Sequence, residues 1–346
     1  MSPFVSVIIV NLNGKTNLKE CLNSLYRVTY SPFEIIVVDN GSTDGSVELI
    51  KKKYPKVKLI VESNKKLGFA EANNLAYKKS KGDYILLLNN DCIVTKNFLG
   101  TLVTFLQRNP GVGIVQPTIL FYRPNTPLHK KINSVGSFFL NSGFLYHKDY
   151  GKRFVRHAYT KPYEIFSAYG ACLLAKREVV EEVGLFDPDY YLYFEETDLC
   201  HRVWLAGFSV MIDPRVYVFH KGAQTSRRLP AAFVQFHSFK NKLHSYLKNL
   251  DSHYLLAMFI PHLLISEVGS LLYLFLGKPE FSLAVQRAIY WNVKNIKKVL
   301  RERKKVQENI RKVRDSSFIP KLMRRADNKY YYFLSKGELE KYENDH

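Results

Sequence analysis

The 346-residue chain is poor in cysteine, and the few it has are not paired along the sequence. The four thiols lack the spacing of a zinc site or a redox dithiol: Cys21, Cys92, Cys172 and Cys200. This usage is typical of buried thiols in a reducing compartment rather than of a disulfide scaffold. No basic segment precedes the first apolar run, so we expect no secretory signal and predict a cytoplasmic location.

The glycine-rich loops of common nucleotide-binding proteins are also missing. No Gly-x-Gly-x-x-Gly sequence follows the first predicted strand, and no Gly-Lys-Ser/Thr loop occurs anywhere. These absences count against the dinucleotide-binding and P-loop interpretations. A nucleotide bound by this chain would have to be held by side chains and a metal ion.

Acidic residues are outnumbered, most strongly near the C-terminus. The formal net charge is +20, and residues 227–346 carry 23 Lys and Arg against 11 Asp and Glu. Such a basic region favours an anionic partner, with nucleic acid and the anionic inner leaflet of a membrane as the two candidates. Hydrophobic residues make up 46% of the chain, and this content supports a sizeable packed core.

The first third of the chain alternates between strand and helix patterns. This alternation predicts an α/β fold with a mainly parallel sheet covered by helices on both faces. Ligands of such sheets bind beyond the carboxyl ends of the strands, where polar residues cluster here: Asn11, Asn13, Asp39, Asn64 and Asp91. The predicted strands are 5–10, 33–38, 57–62 and 84–88, and the predicted helices are 16–26, 46–54 and 68–79.

Three carboxylates are crowded into four residues in the second half of the chain: Glu195, Glu196 and Asp198. Neighbouring carboxylates repel each other, so such a cluster points either to a general base or a cation site. An acidic first turn of a helix, favoured by the helix dipole, is the alternative. The surrounding patterns predict strands at 167–174, 209–213 and 216–219, and helices at 176–183 and 198–206.

Beyond residue 227 the pattern becomes helical. An amphipathic helix is predicted over 233–250, and a mostly apolar segment follows over 254–276. This segment is nearly long enough to span a bilayer, but Glu267 lies inside it, so an interfacial or core-packed hairpin is the other interpretation. A strongly basic helix over 292–314 is either solvated or bound to anionic headgroups.

Ordered motifs along the chain resemble those of a known family. They are Val5–Asn11, residues 36–44, Asn64 with residues 67–70 and Asn73, residues 88–91, Gly170-Ala171 with residues 183–187, residues 194–202, Gly207 and His220. Over roughly residues 3–250 they resemble the family-2 glycosyltransferases, in the branch similar to bacterial rhamnosyl- and galactofuranosyltransferases of surface polysaccharides.

The resemblance implies a fold, a reaction and a location. The fold would be GT-A, a Rossmann-like, mixed and mainly parallel sheet flanked by helices, over residues 1–226. Residues 227–346 would form a basic helical region that associates with the inner face of the cell membrane. The reaction would be an inverting transfer from a nucleoside-diphosphate sugar, a UDP- or dTDP-sugar, to a saccharide or lipid-linked acceptor in polysaccharide biosynthesis.

The resemblance also implies catalytic and metal-binding residues. Glu196 matches the family's catalytic base, with Glu195 beside it, and Asp198 is expected to orient the loop or meet the acceptor. Asp91 takes the position of the metal-binding acid in the family's Asp-x-Asp motif, and His220 matches a histidine that completes the metal site. A histidine ligand favours Mn²⁺ over Mg²⁺, although either ion is compatible with the motif.

The expected donor site draws on residues from both halves of the chain. Asp39, helped by the turn at Asn11, would hold the base or ribose of the nucleotide. The other expected nucleotide-sugar contacts are Asn64, Gly68, Asn73, Asn90, Gly170, Ala171 and Arg202. The sequence departs from the family pattern at Asn89, which replaces the first acid of the Asp-x-Asp motif, so one carboxylate is left there for the metal.

Two other functions fit the sequence less well. A nucleotidyltransferase would need a glycine-rich, basic loop after the first strand, which residues 11–14 do not supply. A nucleic-acid binder would interleave basic and aromatic residues on the sheet or in a groove, whereas the basic excess here lies in the predicted helical tail. We therefore expect no nucleic-acid partner.

Overall fold

The structure, a computed structural model, describes residues 2–62, 67–222, 229–325, 327–336 and 342. Asn64, a predicted donor contact, lies outside these residues. The predicted boundary between residues 226 and 227 also falls in a segment that the structure does not describe.

A ten-stranded mixed sheet forms the centre of the molecule, with eight strands in the order β10-β12-β6-β11-β4-β1-β2-β3, while β5 pairs with β12 and β7 with β6. A separate three-stranded sheet has the order β13-β8-β9. The strands are β1 (Val5–Asn11), β2 (Phe33–Asp39), β3 (Val57–Val61), β4 (Tyr84–Leu88), β5 (Cys92–Val94), β6 (Val112–Phe121), β7 (Ile132–Ser134), β8 (Ser137–Leu140), β9 (Leu145–His147), β10 (Tyr163–Glu164), β11 (Cys172–Lys176), β12 (Ser209–His220) and β13 (Met323–Arg324).

Strands β1 to β4 are mutually parallel where they pair, and β11 is inserted antiparallel between β4 and β6. The predicted mixed, mainly parallel sheet is therefore confirmed. In this register Asn11 lies opposite Asp39, at the carboxyl ends of β1 and β2. The sheet thus brings together polar residues that are 28 positions apart in the sequence.

Helices cover both faces of the sheet. They are α1 (Lys15–Leu25), α2 (Ser46–Lys53), α3 (Phe69–Lys79), α4 (Phe98–Arg108), α5 (Arg177–Val183), α6 (Glu195–Leu205), α7 (Ala231–Asn249), α8 (Ser252–Tyr254), α9 (Ile260–Phe275), α10 (Pro279–Lys294), α11 (Ile296–Lys305), α12 (Ile319–Leu322) and α13 (Asn328–Lys336). Short π-helical segments, Leu255–Phe259 and Val306–Ile310, follow α8 and α11.

The two faces of the sheet belong to two hydrophobic cores because successive residues of a strand point to opposite sides. In β1, Ile8 packs in one core with α3, α5 and α6, whereas Val7 and Ile9 pack in the other with α1 and α4. Predominantly apolar, β-branched strands such as β1 and β2 are what a sheet buried on both faces requires.

Several element boundaries differ from the sequence prediction. Helix α6 begins at Glu195 rather than at residue 198, so the predicted loop position of Glu196 is wrong and all three acids lie in the first helical turn. The two strands predicted at 209–213 and 216–219 are one strand, β12, with a register shift between Asp213 and Tyr217. The strand predicted at 167–174 begins only at Cys172.

The basic helix predicted over 292–314 is also divided. It comprises the end of α10, then α11 and a π-helical turn that ends at Ile310. The first part of α10 lies outside the helices predicted from the sequence.

The C-terminal helices share the main hydrophobic core. Tyr246 of α7 and Phe318, Ile319 and Leu322 near α12 are buried in the same cluster as α3, α5 and α6. The ring of Phe318 stacks on Trp204 of α6, with 5.5 Å between the centroids. The chain after residue 229 is therefore packed against the residues that carry the predicted site.

Candidate active site

Asp91 and His220 form a buried pair at the carboxyl end of β4. The Asp91 Oδ1 atom lies 3.2 Å from Nε2 of His220, and both side chains are at most 5% exposed. On the other side of the ring, Nδ1 of His220 lies 2.7 Å from Oδ1 of Asn133, an oxygen that can only accept a hydrogen bond. The Nδ1–H group of His220 can therefore donate to Asn133, and Nε2 is the ring nitrogen that faces Asp91.

The environment of Asp91 favours its ionised form. Burial opposes ionisation, but the neighbouring His220 and backbone N–H groups, including that of Gly222, outweigh it and lower the pKa of Asp91. Cys92 lies close enough to share a ligand cluster with this pair, yet burial raises the pKa of its thiol well above the usual value, and Sγ donates to the Ala171 carbonyl at 3.3 Å. The carboxylate and the imidazole are therefore the two groups available to a cation.

The predicted nucleotide-binding residues after β1 and β2 form a hydrogen-bond network. Asn11 donates from Nδ2 to Oδ2 of Asp39 at 2.8 Å, and Asn90 donates to Oδ1 of Asn11 at 2.7 Å. Asp39 also accepts from the backbone N–H of Ser42 at 2.8 Å. A Cβ atom at Gly14 would lie 2.4 Å from Nδ2 of Asn90. Any larger residue at this position would therefore displace the Asn90 amide from its hydrogen bond to Asn11.

The remaining predicted donor contacts near α3 are close-packed. A Cβ atom at Gly68 would lie 2.6 Å from the carbonyl oxygen of Tyr191, and the next residue, Phe69, donates its backbone N–H to that oxygen. Asn73 is buried and its Nδ2 donates to the Phe69 carbonyl within the helix. Gly68 thus permits the segment before the carboxylate cluster to contact α3.

The carboxylates Glu195 and Glu196 follow two residues in an uncommon backbone conformation. Tyr193 and Phe194 have φ angles of +66° and +72°, a region that residues other than glycine rarely adopt. Such strain persists only where the surrounding structure enforces it, and it concentrates at functional sites. One carboxylate oxygen of each glutamate is buried without a hydrogen-bond partner.

The two glutamates differ in what stabilises their charge. Burial raises the pKa of both carboxyl groups, and the charge of Glu196 raises that of Glu195 further. Glu196 also accepts hydrogen bonds from backbone N–H groups, among them those of Gly170 and Thr197. These donors favour the charged form of Glu196, whereas the charge of Glu196 disfavours that of Glu195.

Gly170 and Ala171 connect the carboxylates with the Asp91 end of the site. The Gly170 N–H hydrogen-bonds Glu196, while the carbonyl of Ala171 accepts the N–H of Asn89 at 2.9 Å. The structure therefore brings the 89–92 turn and the start of α6 to opposite sides of one short segment.

Asp198 and Arg202 point into the protein interior. Asp198 is fully buried, accepts from Nε of Arg202 at 2.9 Å and from Asn249 at 2.8 Å, and lies 3.2 Å from Nζ of Lys248. Arg202 also donates to the carbonyls of Val183, Gly184 and Leu185. These two predicted site residues fix α6 against α5 and α7.

Sequence reasoning missed Tyr169 and Asn133. The ring of Tyr169 lies 5.8 Å from that of His220, and burial together with the charges of Glu196 and Asp91 raises the pKa of its hydroxyl. Asn133 precedes its partner His220 by 87 positions, so no local spacing could indicate it. For Tyr169, its position before Gly170-Ala171 was the available signal.

The contribution of α7 was also missed. Asn241 donates from Nδ2 to the carbonyls of Leu192 and Tyr193 at 2.9 and 2.7 Å, and Lys240 donates to that of Asp189 at 2.7 Å. Helix α7 therefore holds the segment that leads into the carboxylates.

Comparison with known proteins identifies relatives of this chain. A family model described as glycosyl transferase family 2 matches residues 6–184, just over half of the chain. An N-acetylglucosaminyl-diphospho-decaprenol L-rhamnosyltransferase of Mycobacterium tuberculosis is 26% identical over 258 residues, which cover 68% of this chain and 82% of the relative. The low-salt glycan biosynthesis hexosyltransferase Agl10 of Haloferax volcanii is 24% identical over 245 residues, covering 69% and 74%.

Solved structures share the fold. TarS 1-349 of S. aureus in complex with UDP-GlcNAc superposes with a TM-score of 0.57 at 15% identity, covering 98% of this chain and 90% of that one. GalNAc-T7 with UDP, GalNAc and Mn²⁺ superposes with a TM-score of 0.58 at 20% identity, covering 73% of this chain and 49% of that longer one. Taken with the family match, these likenesses establish that the chain belongs to the glycosyl transferase family 2 and is a glycosyltransferase with the GT-A fold.

Proposed function

We propose that this enzyme moves a sugar, with inversion, from a UDP- or dTDP-sugar to a saccharide acceptor that is linked to a lipid. The proposal rests on two pairs of side chains near the segment Gly170-Ala171. One pair is Asp91 with His220, and the other is Glu195 with Glu196. A cation site next to a buried carboxylate pair suits the departure of a diphosphate and the deprotonation of a hydroxyl.

The donor would be held at the carboxyl edge of the parallel strands. The carboxylate of Asp39 and the amides of Asn11 and Asn90 form a connected hydrogen-bond network there, in which Asp39 and Asn11 are buried. Ligand sites of open α/β sheets lie at this edge. In this proposal Asp39 contacts the base or ribose, and the close-packed Gly68 and Asn73 shape the wall of the donor site.

The residues present fit a divalent cation. Asp91 supplies a carboxylate oxygen whose ionised form the surroundings favour. His220 supplies Nε2, because its other ring nitrogen, Nδ1, contacts Asn133. Second-shell partners of this kind orient metal-ligating histidines. Asp91 and His220 would hold Mn²⁺ or Mg²⁺, and the bound ion would neutralise the charge of the departing diphosphate.

Glu196 would act as the general base. Its backbone donors favour the ionised form, while burial keeps its proton affinity higher than that of an exposed glutamate. The acceptor oxygen forms the new bond to the anomeric carbon as the bond to the diphosphate breaks, and the hydroxyl proton passes to Glu196. Glu195 would tune the charge of Glu196, and Asp198 with Arg202 would position the helix that carries both.

The acceptor and the location follow from the relatives and the charge. The M. tuberculosis relative is named for a diphospho-decaprenol acceptor. A lipid-linked acceptor for this chain would require the reaction to occur at a membrane, and we propose the inner face of the cell membrane. The basic region after residue 227 is consistent with an anionic membrane surface there.

A donor screen and two glutamate variants test the proposal. With Mn²⁺ present, the correct nucleotide sugar should raise the melting temperature, and transfer to a lipid-linked saccharide should follow. Glu196→Gln should abolish transfer but retain donor binding, whereas Glu178→Gln, an exposed glutamate on α5, should leave both unchanged. Full transfer by both Glu195→Gln and Glu196→Gln would refute carboxylate base catalysis.

A further inference from the structure

The helix pair α9–α10 presents an apolar face that no described part of the chain covers. Along the outer side of α9 and of the π-helical segment before it, large apolar residues at every fourth position are between 42% and 69% exposed: Leu256, Ile260, Leu264, Val268 and Leu272. Leu271, Leu274, Phe275 and Leu276 extend this face, and Phe275 is 87% exposed. An apolar patch of this size on a soluble surface marks an interaction site.

The opposite side of the same helix is attached to the protein. Met258, His262 and Ser270 are buried, and the ring of His262 lies 4.4 Å from that of Phe144. Two polar contacts join α9 to α10: Ser270 with Ser282, at 2.9 Å between the hydroxyl oxygens, and Gln286 with Glu267, at 2.8 Å. The acidic residue of α9 is therefore paired on the α10 side.

The contacts of this apolar helix favour a position on a membrane surface over one that crosses the membrane. Within the described residues, Ser252–Phe275 is the one helix long and apolar enough to span a bilayer, with 17% of its most apolar stretch buried. One face of this helix contacts α7 and the turn after β8 through His262. A helix with one protein-bound face and one apolar outer face has the form of an interfacial helix.

Basic residues predominate among the exposed charged residues of α10 and α11, which follow the apolar helix in the chain. On α10, the exposed residues Leu283, Arg287, Tyr290 and Lys294 are spaced three or four positions apart and so share one side. The exposed basic residues of residues 276–310 are Lys278, Arg287, Lys294, Lys297, Arg301, Lys304 and Lys305, and the exposed acidic residues of residues 252–310 are Glu280 and Glu308. Apolar residues flanked by cations fit an acyl layer beneath anionic headgroups.

A second copy of the chain fits this surface less well. A symmetric dimer places the same patch on both subunits, so both sides of the interface would carry the exposed cations Arg287, Lys294 and Lys297. Like charges brought together across an interface are unfavourable. An anionic bilayer supplies the opposite sign and has no such conflict.

We propose that the outer face of α8–α11 is a membrane-docking surface that lies flat in the headgroup region of an anionic bilayer. The role of this surface rests on the proposed function, because it would hold the active site at the level of a lipid-linked acceptor. Helix α7 joins the two, since Phe239 contacts His262 of α9 with 5.7 Å between ring centroids, while Asn241 holds the Tyr193 carbonyl.

Sedimentation of the full chain with vesicles tests the docking surface. The protein should bind phosphatidylcholine vesicles that contain phosphatidylglycerol, and high salt should weaken the binding. Lys294→Glu with Lys297→Glu should weaken it by roughly 25-fold or more, because each basic residue contributes about fivefold. The matched pair Lys51→Glu with Lys52→Glu, exposed on α2, should bind like the unmodified protein.

The apolar face is tested separately. Leu264→Asp with Val268→Asp should abolish vesicle binding, whereas Val61→Asp, at an exposed position of β3, should not. The docking variants should keep the donor-induced rise in melting temperature and transfer to a water-soluble acceptor. If the unmodified protein binds vesicles but no nucleotide sugar, the proposed function fails while the docking surface stands.

Three results would overturn the docking proposal. The first is unchanged vesicle binding by both double variants. The second is retention on the vesicles after alkaline carbonate extraction, which would indicate a spanning helix. The third is a dimer in the absence of vesicles that Leu264→Asp with Val268→Asp converts to a monomer.

Discussion

Asn241 of α7 donates a hydrogen bond to the carbonyl oxygen of Tyr193 at 2.7 Å, and this contact joins the C-terminal helices to the segment before the glutamate pair. Tyr193 has a φ angle of +66°, two residues before Glu195. Because the same amide group also binds the Leu192 carbonyl, Asn241 stabilises a backbone path that the sequence of the segment does not itself favour.

Replacing Asn241 with leucine should slow catalysis without weakening donor binding. The side chain would no longer hold the Tyr193 carbonyl, and a shift of about 1 Å in a catalytic group can cost about 100-fold in rate. Steady-state kinetics should show a lower kcat, with an unchanged donor-induced shift in melting temperature. Asn295→Leu, which removes an Asn-to-backbone bond on α10, is the matched control. An unaltered kcat in Asn241→Leu would exclude the positioning role.

Asn133→Ala should weaken metal binding although Asn133 touches no proposed donor group. Without its acceptor oxygen, the His220 ring can carry its proton on either nitrogen and rotate. Loss of such a partner costs about 10- to 100-fold in metal affinity. Titration of the melting temperature with Mn²⁺ measures this effect without an activity assay. Asn109→Ala, at an Asn-to-backbone bond on α4, should leave the titration unchanged, and an identical effect of both variants would count against the proposed site.

Glu195→Gln should make the protein less sensitive to rising pH. Burial and the charge of Glu196 raise the pKa of Glu195, so between its unfolded and folded pKa values the folded protein retains a proton that the unfolded chain releases. The stability of the unmodified protein must then fall as pH rises through this window. Thermal unfolding from about pH 5 to about pH 8 should show that the stability of the variant rises relative to that of the unmodified protein. Parallel curves for the two proteins would contradict the raised pKa.

Asp198→Asn should destabilise the fold. Burial opposes ionisation of Asp198, but Lys248 and Arg202 more than compensate and hold its pKa well below the usual value. Removing the charge takes away a counter-ion that the buried cations Lys248 and Arg202 share. Breaking a buried ion pair costs about 3–5 kcal/mol. Urea unfolding at neutral pH measures this loss.

The contribution of Asp198 also has a defined pH dependence. It is present in full above the unfolded pKa of an aspartate and is lost as pH falls through the lower folded value. Glu181→Gln, at an exposed ion pair with Arg177, should cost less than about 1 kcal/mol and serves as the control. Equal losses in the two variants would show that the Asp198 network contributes no more than an exposed ion pair.

The polar residues at the strand ends show how far sequence patterns reach. Short β-branched runs separated by amphipathic helices predicted parallel strands, and the register that results places Asn11 within 2.8 Å of Asp39. The start of α6 shows the limit of such patterns. The sequence predicted a loop at Glu196, but contacts from Asn241 to the preceding carbonyls hold a backbone that lets the helix begin at Glu195.

By itself, the sequence determined the α/β class, the mainly parallel sheet and the family, because strand and helix periodicity and ordered motifs are local properties of the chain. Only the tertiary structure decided how the crowded acids are divided. Glu196 receives a backbone donor from Gly170, the charge of Glu196 further raises the pKa of Glu195, and Asp198 turns inward to Lys248. These outcomes depend on segments 26 to 50 residues away in the sequence, whose approach is set by packing on the shared core and not by any local pattern.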